Sequence, residues 1–468
     1  MFKLITQMSK NKAYVSANYF SFPFLKRSVS SLKMIVLIGV VFIGIGKAHS
    51  QIPSSYTRLS VNSLNLNRTG TKMTAGQLSS FGPAYKGYRW NTGDADTRKW
   101  RPQGISGYNK SGKEWSIVSW YGRHITGTVF CNEDYRDRGS RVSFADITDM
   151  DNIEYRHVLL VDENGDTFYD MHAGGLTVVG DTLYTVDSRG SIDAMYSFCL
   201  DSIVAVPTAD QGNYYGYEYI LPKLPGADSI PFNPSFISYD WDDDNMVIGS
   251  FQDCPSNACA TPENNRLIWF QPGAVDLTSN FYNGLFGKMQ GLTTATNLDN
   301  PNKKDVWVST SFGYNNNSRL YYFNYDFGTN TMQNQSIDYG NNYAYISVSP
   351  GLEDIHRAEN DDLWTLSEFP SNWPCGLSTT NVRSVVAYTR SVLRPPGACD
   401  GDIATDLSNE IDTVVCSQDT LNYYLPQMND VSFIDFDPGT SDAVWVNADT
   451  LATPLNGSSR SIFMWVKQ

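Results

Sequence analysis

Hydrophobic and polar residues alternate along this chain in short runs that recur in the same order. Each copy begins with a loop signal followed by a short apolar alternation, as in PQGISGY from Pro102, AGGLTVV from Ala173, PSFISYD from Pro234, MQGLTTA from Met289, SPGLEDI from Ser349 and NDVSFIDF from Asn429. A second strand pattern follows in each copy, such as KEWSIVSW from Lys113, and then a third, such as SRVSFADI from Ser140. A period near two indicates strands, and helical periodicity is hard to find beyond the N-terminal region.

Repeated units of four antiparallel strands are typical of a β-propeller, so the sequence predicts an all-β fold of this kind. We expect six blades of four antiparallel strands, with five or seven as open alternatives because the outer strands are poorly defined. The sixth copy ends at Gln468 directly after its third strand. We therefore expect an N-terminal strand, TRLSVNSL from Thr57, to complete that blade and close the ring.

The first 50 residues have the features of an exported chain. Basic residues precede the apolar run MIVLIGVVFIGIG, and small residues at Ala48 and Ser50 suit cleavage by signal peptidase. That run is short for a membrane span of about 20 residues. We expect a signal peptide over residues 1–50 with a long basic region, an N-terminal segment over 51–100 that includes the closing strand, and the propeller over 101–468. The expected product is extracellular and has no stable membrane span after cleavage.

The formal charge of −14 and the pI of about 4.8 argue against a nucleic-acid partner, since phosphate binding needs a basic face. Export permits disulfides, and we expect the local pairs Cys254–Cys259 and Cys399–Cys416, each of which would close a small polar loop. The chain has seven cysteines, so at least one is left unpaired or pairs with another molecule.

Function is expected where one copy departs from the repeated pattern. The loops before the innermost strands and those between the second and third strands lie on one face of a propeller, and they differ greatly between copies. This face is predicted to gather the candidate catalytic residues His172, His124, Tyr121 and Arg123, and the candidate ligand-binding residues Arg101, Gln103, Asp170, Arg189 and Trp373.

These residue types support two kinds of chemistry. A histidine can act as an acid or base near neutrality, an arginine can pair with a carboxylate, and a tyrosine can donate a proton. The combination suits β-elimination from a uronic acid polymer, and it equally suits sugar binding without catalysis. The sequence requires no cofactor, and the acidic turns WDDDN from Trp241 and DENGD from Asp162 are candidate structural calcium sites as well as ordinary hairpin turns.

Four strings resemble a group of secreted β-propeller proteins of unknown function that occur in actinobacteria and fungi. The matching strings are WNTGDADTRKWRPQGIS, RVSFADI, YRHVLLVD and HAGGLTVVGDTLYTVDSRG, which cover the first two blades. The resemblance implies export and a propeller fold, and it implies no activity.

Three functions follow as expectations. The first is a secreted propeller that binds an extracellular ligand, most plausibly a glycan, on its loop-rich face. The second is an extracellular polysaccharide-cleaving enzyme, a uronide lyase before a hydrolase. The third is a non-catalytic structural protein of the cell surface or matrix.

Overall fold

The computed structural model describes residues 52–125, 133–189, 193–251, 266–272, 281–283, 288–298, 301–313, 316–326, 345–369 and 383–390. The predicted signal peptide and the sixth repeat copy lie outside these residues. None of the helices among the described residues has the length and apolar character needed to cross a membrane.

The N-terminal segment is built from short elements that precede the first long strand. They are β1 (Thr57–Leu59), β2 (Arg68–Thr69), β3 (Thr71–Lys72), α1 (Ala75–Leu78), β4 (Lys86–Arg89) and α2 (Thr92–Ala95). Helix α2 begins where the Asn91 side chain accepts a hydrogen bond from the Asp94 backbone N–H at 3.0 Å, which satisfies a donor left open at the helix start.

Antiparallel sheets follow one another along the chain, as the repeated pattern predicts. The first repeat supplies β5 (Trp100–Lys110), β6 (Lys113–Gly122), β7 (His124–Ile125), β8 (Glu133–Asp134), β9 (Ser140–Asp146) and β10 (Glu154–Val161). The second supplies β11 (Leu176–Val179), β12 (Thr182–Asp187) and β13 (Ala194–Cys199), and a loop excursion then carries β14 (Ile203–Ala205), β15 (Tyr219–Pro222) and β16 (Asp228–Ser229). Strand β16 completes the second sheet, whereas β14 and β15 extend the first.

The remaining repeats form three further sheets. They contain β17 (Pro234–Asp240), β18 (Asn245–Ser250), β19 (Arg266–Phe270) and β20 (Phe281–Asn283); β21 (Met289–Thr296), β22 (Lys303–Thr310), β23 (Ser318–Asp326) and β24 (Tyr345–Val348); and β25 (Leu352–Arg357), β26 (Leu363–Ser367) and β27 (Ser384–Tyr388). The chain is therefore an all-β β-propeller, as its sequence predicts.

An N-terminal strand completes the fifth sheet. Strand β4 pairs antiparallel with β27, so that Lys86 lies opposite Ala387 and Arg89 opposite Ser384. Ring closure by an N-terminal strand was expected, but the strand predicted for it was wrong. Thr57–Leu59 pairs instead with β14 at the outer edge of the first sheet. Strand pairing uses backbone groups that every residue has, so the local pattern did not specify which edge this strand joins.

The five described sheets form a continuous ring. The innermost strands of the fifth and first sheets are in contact, and the Asp354 carboxylate accepts a hydrogen bond from the Ile105 backbone N–H at 3.1 Å. The described residues thus contain five propeller sheets. Five blades were an open alternative to the six expected from the sequence.

The inner strands approach each other so closely at the axis that glycine is required there. A Cβ placed on Gly104 would lie 2.5 Å from the Leu176 backbone nitrogen, and one on Gly291 would lie 2.5 Å from the Ile355 nitrogen. Such distances are below van der Waals contact, so any side chain would force the strands apart. This explains why glycine recurs in the first motif of several repeats.

Aromatic side chains fill the space between the sheets. Trp307 on β22 and Trp364 on β26 are 0% and 3% exposed. Burial of these large rings stabilises the sheet-to-sheet contacts that a propeller needs.

Candidate functional site

One end of the ring gathers most of the candidate residues. Antiparallel pairing places the start of an inner strand beside the end of the second strand, and in the first sheet Arg101 lies directly opposite Tyr121. We use the term channel mouth for the side chains at this end of the first, second and fifth sheets, namely Arg101, Gln103, Tyr121, Arg123, His172, Arg189, Glu353, Glu368 and Arg383.

Tyr121, His172 and Arg189 form the centre of the channel mouth. The Tyr121 and His172 rings meet edge to face, with centroids 4.7 Å apart and planes at 80°. The Arg189 guanidinium lies 4.7 Å from the Tyr121 ring centroid. Tyr121, at the end of β6, therefore contacts both His172 and Arg189, which come from two loops of the second repeat.

The backbone around His172 is held in an uncommon conformation. Asp170 and Ala173 have φ angles of 54° and 47°, which few residues other than glycine adopt. The His172 backbone N–H donates to the Asp187 carboxylate at 2.9 Å, and its Nδ1 lies 3.4 Å from the Ser188 hydroxyl. Strained backbone of this kind is often found at functional sites, where the surrounding contacts maintain it.

The environment of His172 keeps its imidazole neutral. Burial lowers the pKa of His172 well below its usual value, and the positive charges of Arg189 and Arg101 lower it further. A neutral imidazole retains one nitrogen that can accept a hydrogen bond or a proton. At neutral pH this side chain is therefore an acceptor.

Arg101 is anchored by a carboxylate that sequence reasoning missed. Its Nε lies 2.9 Å from the Glu368 carboxylate, and its guanidinium lies 5.4 Å from the Phe369 ring centroid. Gln103 donates to the carbonyl of Pro102 at 2.9 Å and to Glu368 at 3.4 Å. Gln103, predicted to contact ligand, is 4% exposed and its amide is directed to these protein groups.

A second missed carboxyl group, Glu353, lies beside Glu368. Burial raises the pKa of Glu353 well above its usual value, and the negative charge of Glu368 raises it further. Two carboxyl groups that share a hydrogen bond cannot both ionise easily. Glu353 therefore holds a proton while Glu368 pairs with Arg101. Both acids occur in the fifth repeat alone, at GLEDI and LSE, so the search for non-recurring residues would have found them.

Several arginines share the channel mouth. Burial lowers the pKa of Arg123 to about 10, and the charge of Arg101 lowers it further. Burial likewise lowers the pKa of Arg383 to about 9, with a further contribution from Arg101. Arg383 is fully buried and donates to the backbone carbonyls of Glu368, Asp94 and Thr97. The remaining guanidiniums stay charged at neutral pH and repel one another, so the channel mouth favours a negatively charged group.

Asp170 lies at the outer rim of the channel mouth, between two arginines. Its carboxylate is 3.8 Å from Arg189 and 3.9 Å from Arg136. The neighbouring Tyr169 is 65% exposed, and the Arg136 guanidinium lies 5.8 Å from its ring centroid. Asp170 therefore positions arginines as well as facing solvent.

The side chains of the other candidates lie outside the described residues. His124 belongs to β7, but its side chain is outside the described residues, as are Trp373 and the four cysteines predicted to pair, Cys254, Cys259, Cys399 and Cys416. Cys199 is described and is a free thiol.

The acidic turns that were candidate calcium sites form ion pairs and turn contacts. Lys304 lies 2.9 Å from Asp240 and 2.8 Å from Asp243, and Arg357 lies 2.9 Å from Asp242. In the other turn, the Asp162 carboxylate accepts backbone N–H groups within its own hairpin. Throughout the described ranges, no group of three or more His, Cys, Asp or Glu side chains is arranged to hold a metal ion.

The chain matches no protein-family model and no curated protein. Among solved structures it is similar to a GH43_1 enzyme from Xanthomonas citri in complex with xylose, with 12% identity, a TM-score of 0.32, and coverage of 68% of this chain and 93% of that one. It is also similar to the PQQ-bound aldose sugar dehydrogenase of Streptomyces coelicolor, with 11% identity, a TM-score of 0.34, and coverage of 69% and 99%. A gluconolactonase from Xanthomonas campestris has 10% identity, a TM-score of 0.27, and coverage of 72% and 98%. These values are low, so the residues of the channel mouth carry the functional argument alone.

Proposed function

We propose that this chain is a secreted propeller that binds an extracellular glycan at the channel mouth, with a preference for sugars that carry carboxylates. The observation that carries the proposal is the contact of Tyr121, His172 and Arg189 beside the arginines of the first sheet. Export is part of the proposal and rests on the basic and apolar pattern of residues 1–50.

The chemistry of the channel mouth supports an acidic sugar over a neutral one. A guanidinium matches a carboxylate with two parallel hydrogen bonds, and Arg189 is the most exposed arginine at the centre of the channel mouth, with 39% of its side chain accessible. The neutral His172 can accept a hydroxyl hydrogen bond. Tyr169, exposed at the rim, offers an apolar ring face of the kind that packs against sugars.

Binding to uronate-bearing oligosaccharides tests the proposal. We expect the protein to bind them in isothermal titration calorimetry and to bind neutral hexose oligosaccharides more weakly. The Arg189→Gln variant should weaken uronate binding about tenfold, because one charge-assisted contact is lost. Arg58→Gln, a change at an exposed arginine of β1, is the matched control and should leave the affinity unchanged. Equal affinity for acidic and neutral sugars, or no binding of either, would refute the proposal.

A second candidate function is elimination from a uronic acid polymer. The contact between Tyr121 and a neutral His172 favours it, because one residue can donate a proton and the other can accept one. In this reaction His172 removes the proton at C5, the C4–O bond breaks as the C4–C5 double bond forms, and the Tyr121 hydroxyl protonates the leaving oxygen.

Release of unsaturated uronide ends, followed by ultraviolet absorbance, tests this alternative. Tyr121→Phe should abolish turnover while retaining substrate binding, since the ring remains and only the proton donor is lost. Binding without any unsaturated product from the wild-type protein rules out the lyase and leaves the glycan-binding function. If no glycan binds at all, the structural role at the cell surface or matrix becomes the favoured alternative.

A further inference from the structure

A basic cavity lies against the first sheet, and none of its lining residues belongs to the channel mouth. Its volume is about 260 Å³, and it lies between β2, β9, β10 and the loop before β15. We use the term arginine pocket for this cavity, whose wall includes Arg68, Arg138, Arg141, Arg156, His157 and Tyr217. A cluster of four arginines is unusual in a chain with a net charge of −14.

One buried carboxylate forms ion pairs with two of these arginines. Asp94 lies 2.9 Å from Arg68 and 3.1 Å from Arg141, and it also accepts the Tyr155 hydroxyl at 2.7 Å. His157 Nε2 approaches the same carboxylate at 3.0 Å. Asp94 can balance only one positive charge, so its two arginine partners leave one charge uncompensated.

The other two arginines add to this excess. Arg156 pairs with Glu218 at 2.6 Å. Within the described residues Arg138 forms no ion pair, and its guanidinium lies 4.7 Å from the Tyr135 ring centroid and 5.4 Å from that of Tyr215. Four guanidiniums therefore face two carboxylates, and the cavity has a net positive charge.

Arg141 is a buried cation in the wall of the arginine pocket. Its side chain is 6% exposed, its guanidinium lies 4.7 Å from the Trp100 ring centroid, and one Nη is 3.4 Å from the Tyr217 hydroxyl. Its Nε has no hydrogen-bond partner among the described residues. The Nε is enclosed by protein, so a ligand in the cavity would be contacted by the Nη groups of Arg141.

His157 is neutral and adds no positive charge to the arginine pocket. Its Nδ1 lies 2.7 Å from the Ser143 hydroxyl, which accepts a hydrogen bond from the Trp120 indole at 2.7 Å. That hydroxyl therefore donates to Nδ1, and the ring proton resides on Nε2, directed to Asp94. Burial lowers the pKa of His157 to about 3, with a further contribution from Arg141, so the ring is neutral at physiological pH.

We propose that the arginine pocket binds an oxyanion group, with Arg138 and Arg141 as its principal donors. The shared chemistry is that of a sulfate, a phosphate or a carboxylate, each of which presents several acceptor oxygens to planar guanidiniums. This site is separate from the channel mouth and does not depend on the function proposed there.

Titration calorimetry with the full chain at constant low ionic strength tests the proposal, with chloride as the balancing salt. The probes are inorganic sulfate, inorganic phosphate, glucuronate and, as a neutral control, glucose. We expect at least one oxyanion to bind and glucose not to bind. Arg138→Gln should weaken oxyanion binding about tenfold, and Arg138→Lys should restore part of it because the charge is kept.

The control variants separate this pocket from general charge and from the channel mouth. Arg58→Gln removes an exposed charge elsewhere, and Arg189→Gln removes one at the channel mouth; neither should change the Arg138-dependent binding. Arg138-dependent binding of sulfate or phosphate but not of glucuronate supports a site for tetrahedral oxyanions, and Arg138-dependent binding of glucuronate supports a carboxylated sugar. Glucuronate binding that only Arg189→Gln weakens belongs to the channel mouth. The proposal is overturned if no oxyanion binds, or if Arg138→Gln has no greater effect than Arg58→Gln.

Discussion

The Asp94 carboxylate links the N-terminal segment to three strands of the first sheet. The Asp94→Asn variant therefore tests how much this buried charge contributes to the free energy of unfolding. The carboxylate lies in α2 and contacts Arg68 on β2, Arg141 on β9 and His157 on β10. Asparagine has nearly the same shape but carries no charge, and its NH₂ group would face donors. The substitution therefore removes the charge and leaves packing volume almost unchanged.

The magnitude follows from the burial of each partner. Arg141 is 6% exposed, and removing one partner of a buried ion pair costs about 3–5 kcal/mol because the other charge is left uncompensated. Arg68 is 39% exposed, so its pair adds only about 0–1 kcal/mol. We expect the free energy of unfolding to fall by about 3–5 kcal/mol, since the two contacts share one carboxylate and do not add fully.

Urea-induced unfolding of the wild-type protein and the variant, followed by tryptophan fluorescence, measures this loss. Asp151→Asn is the matched control, because Asp151 is 77% exposed and pairs with an exposed Lys72. That control should change stability by less than about 1 kcal/mol. A loss below about 1 kcal/mol for Asp94→Asn as well would show that the buried cluster is not held by this charge.

The pH dependence provides an independent check. Burial opposes ionisation of Asp94, but the bond to His157 and the charge of Arg141 outweigh it and hold its pKa far below the usual value. A carboxyl group with a lowered pKa in the folded state stabilises the fold above its unfolded pKa of about 3.9, and that stability is lost on acidification below it. The difference between wild type and Asp94→Asn should be constant near neutrality and shrink below about pH 4. A difference that does not change with pH would contradict the assignment.

Other substitutions test the axis and the channel mouth. Gly104→Ala should lower the free energy of unfolding by about 1–3 kcal/mol in thermal unfolding, because the new methyl group would lie 2.5 Å from the backbone of the neighbouring inner strand. Gly212→Ala is the control, since a Cβ at Gly212 would have no atom within 4 Å. Equal effects of the two substitutions would refute the close approach. Glu353→Gln should cost less than about 1 kcal/mol in urea unfolding, since the glutamate is already protonated and glutamine can still donate a hydrogen bond. Glu368→Gln should cost more, about 1.5–3 kcal/mol, because Arg101, with 16% of its side chain exposed, loses its charged partner. The reverse order would show that the proton resides on the other acid.

The sequence by itself determined the fold class and much of the channel mouth. Strand alternation is local, and it recurs in every repeat because each sheet must bury one set of side chains against the next. Residues that break the repeat, such as Tyr121, His172 and Arg189, could be located because the pattern around them predicts which end of the strands they occupy. Antiparallel pairing then brings those ends together without further information.

Only the tertiary structure decided which distant partners meet. Strand β4, and not Thr57–Leu59, completes the fifth sheet. Strand pairing uses backbone groups that every residue possesses, so the local sequence does not specify the partner strand. The partners of Arg101 and Arg141 were equally hidden, since Glu368 and Asp94 are distant in sequence. The folded ring brings those carboxylates next to the arginines, and burial strengthens each ion pair enough to shift a pKa. The local sequence pattern predicts neither the contacts nor the burial.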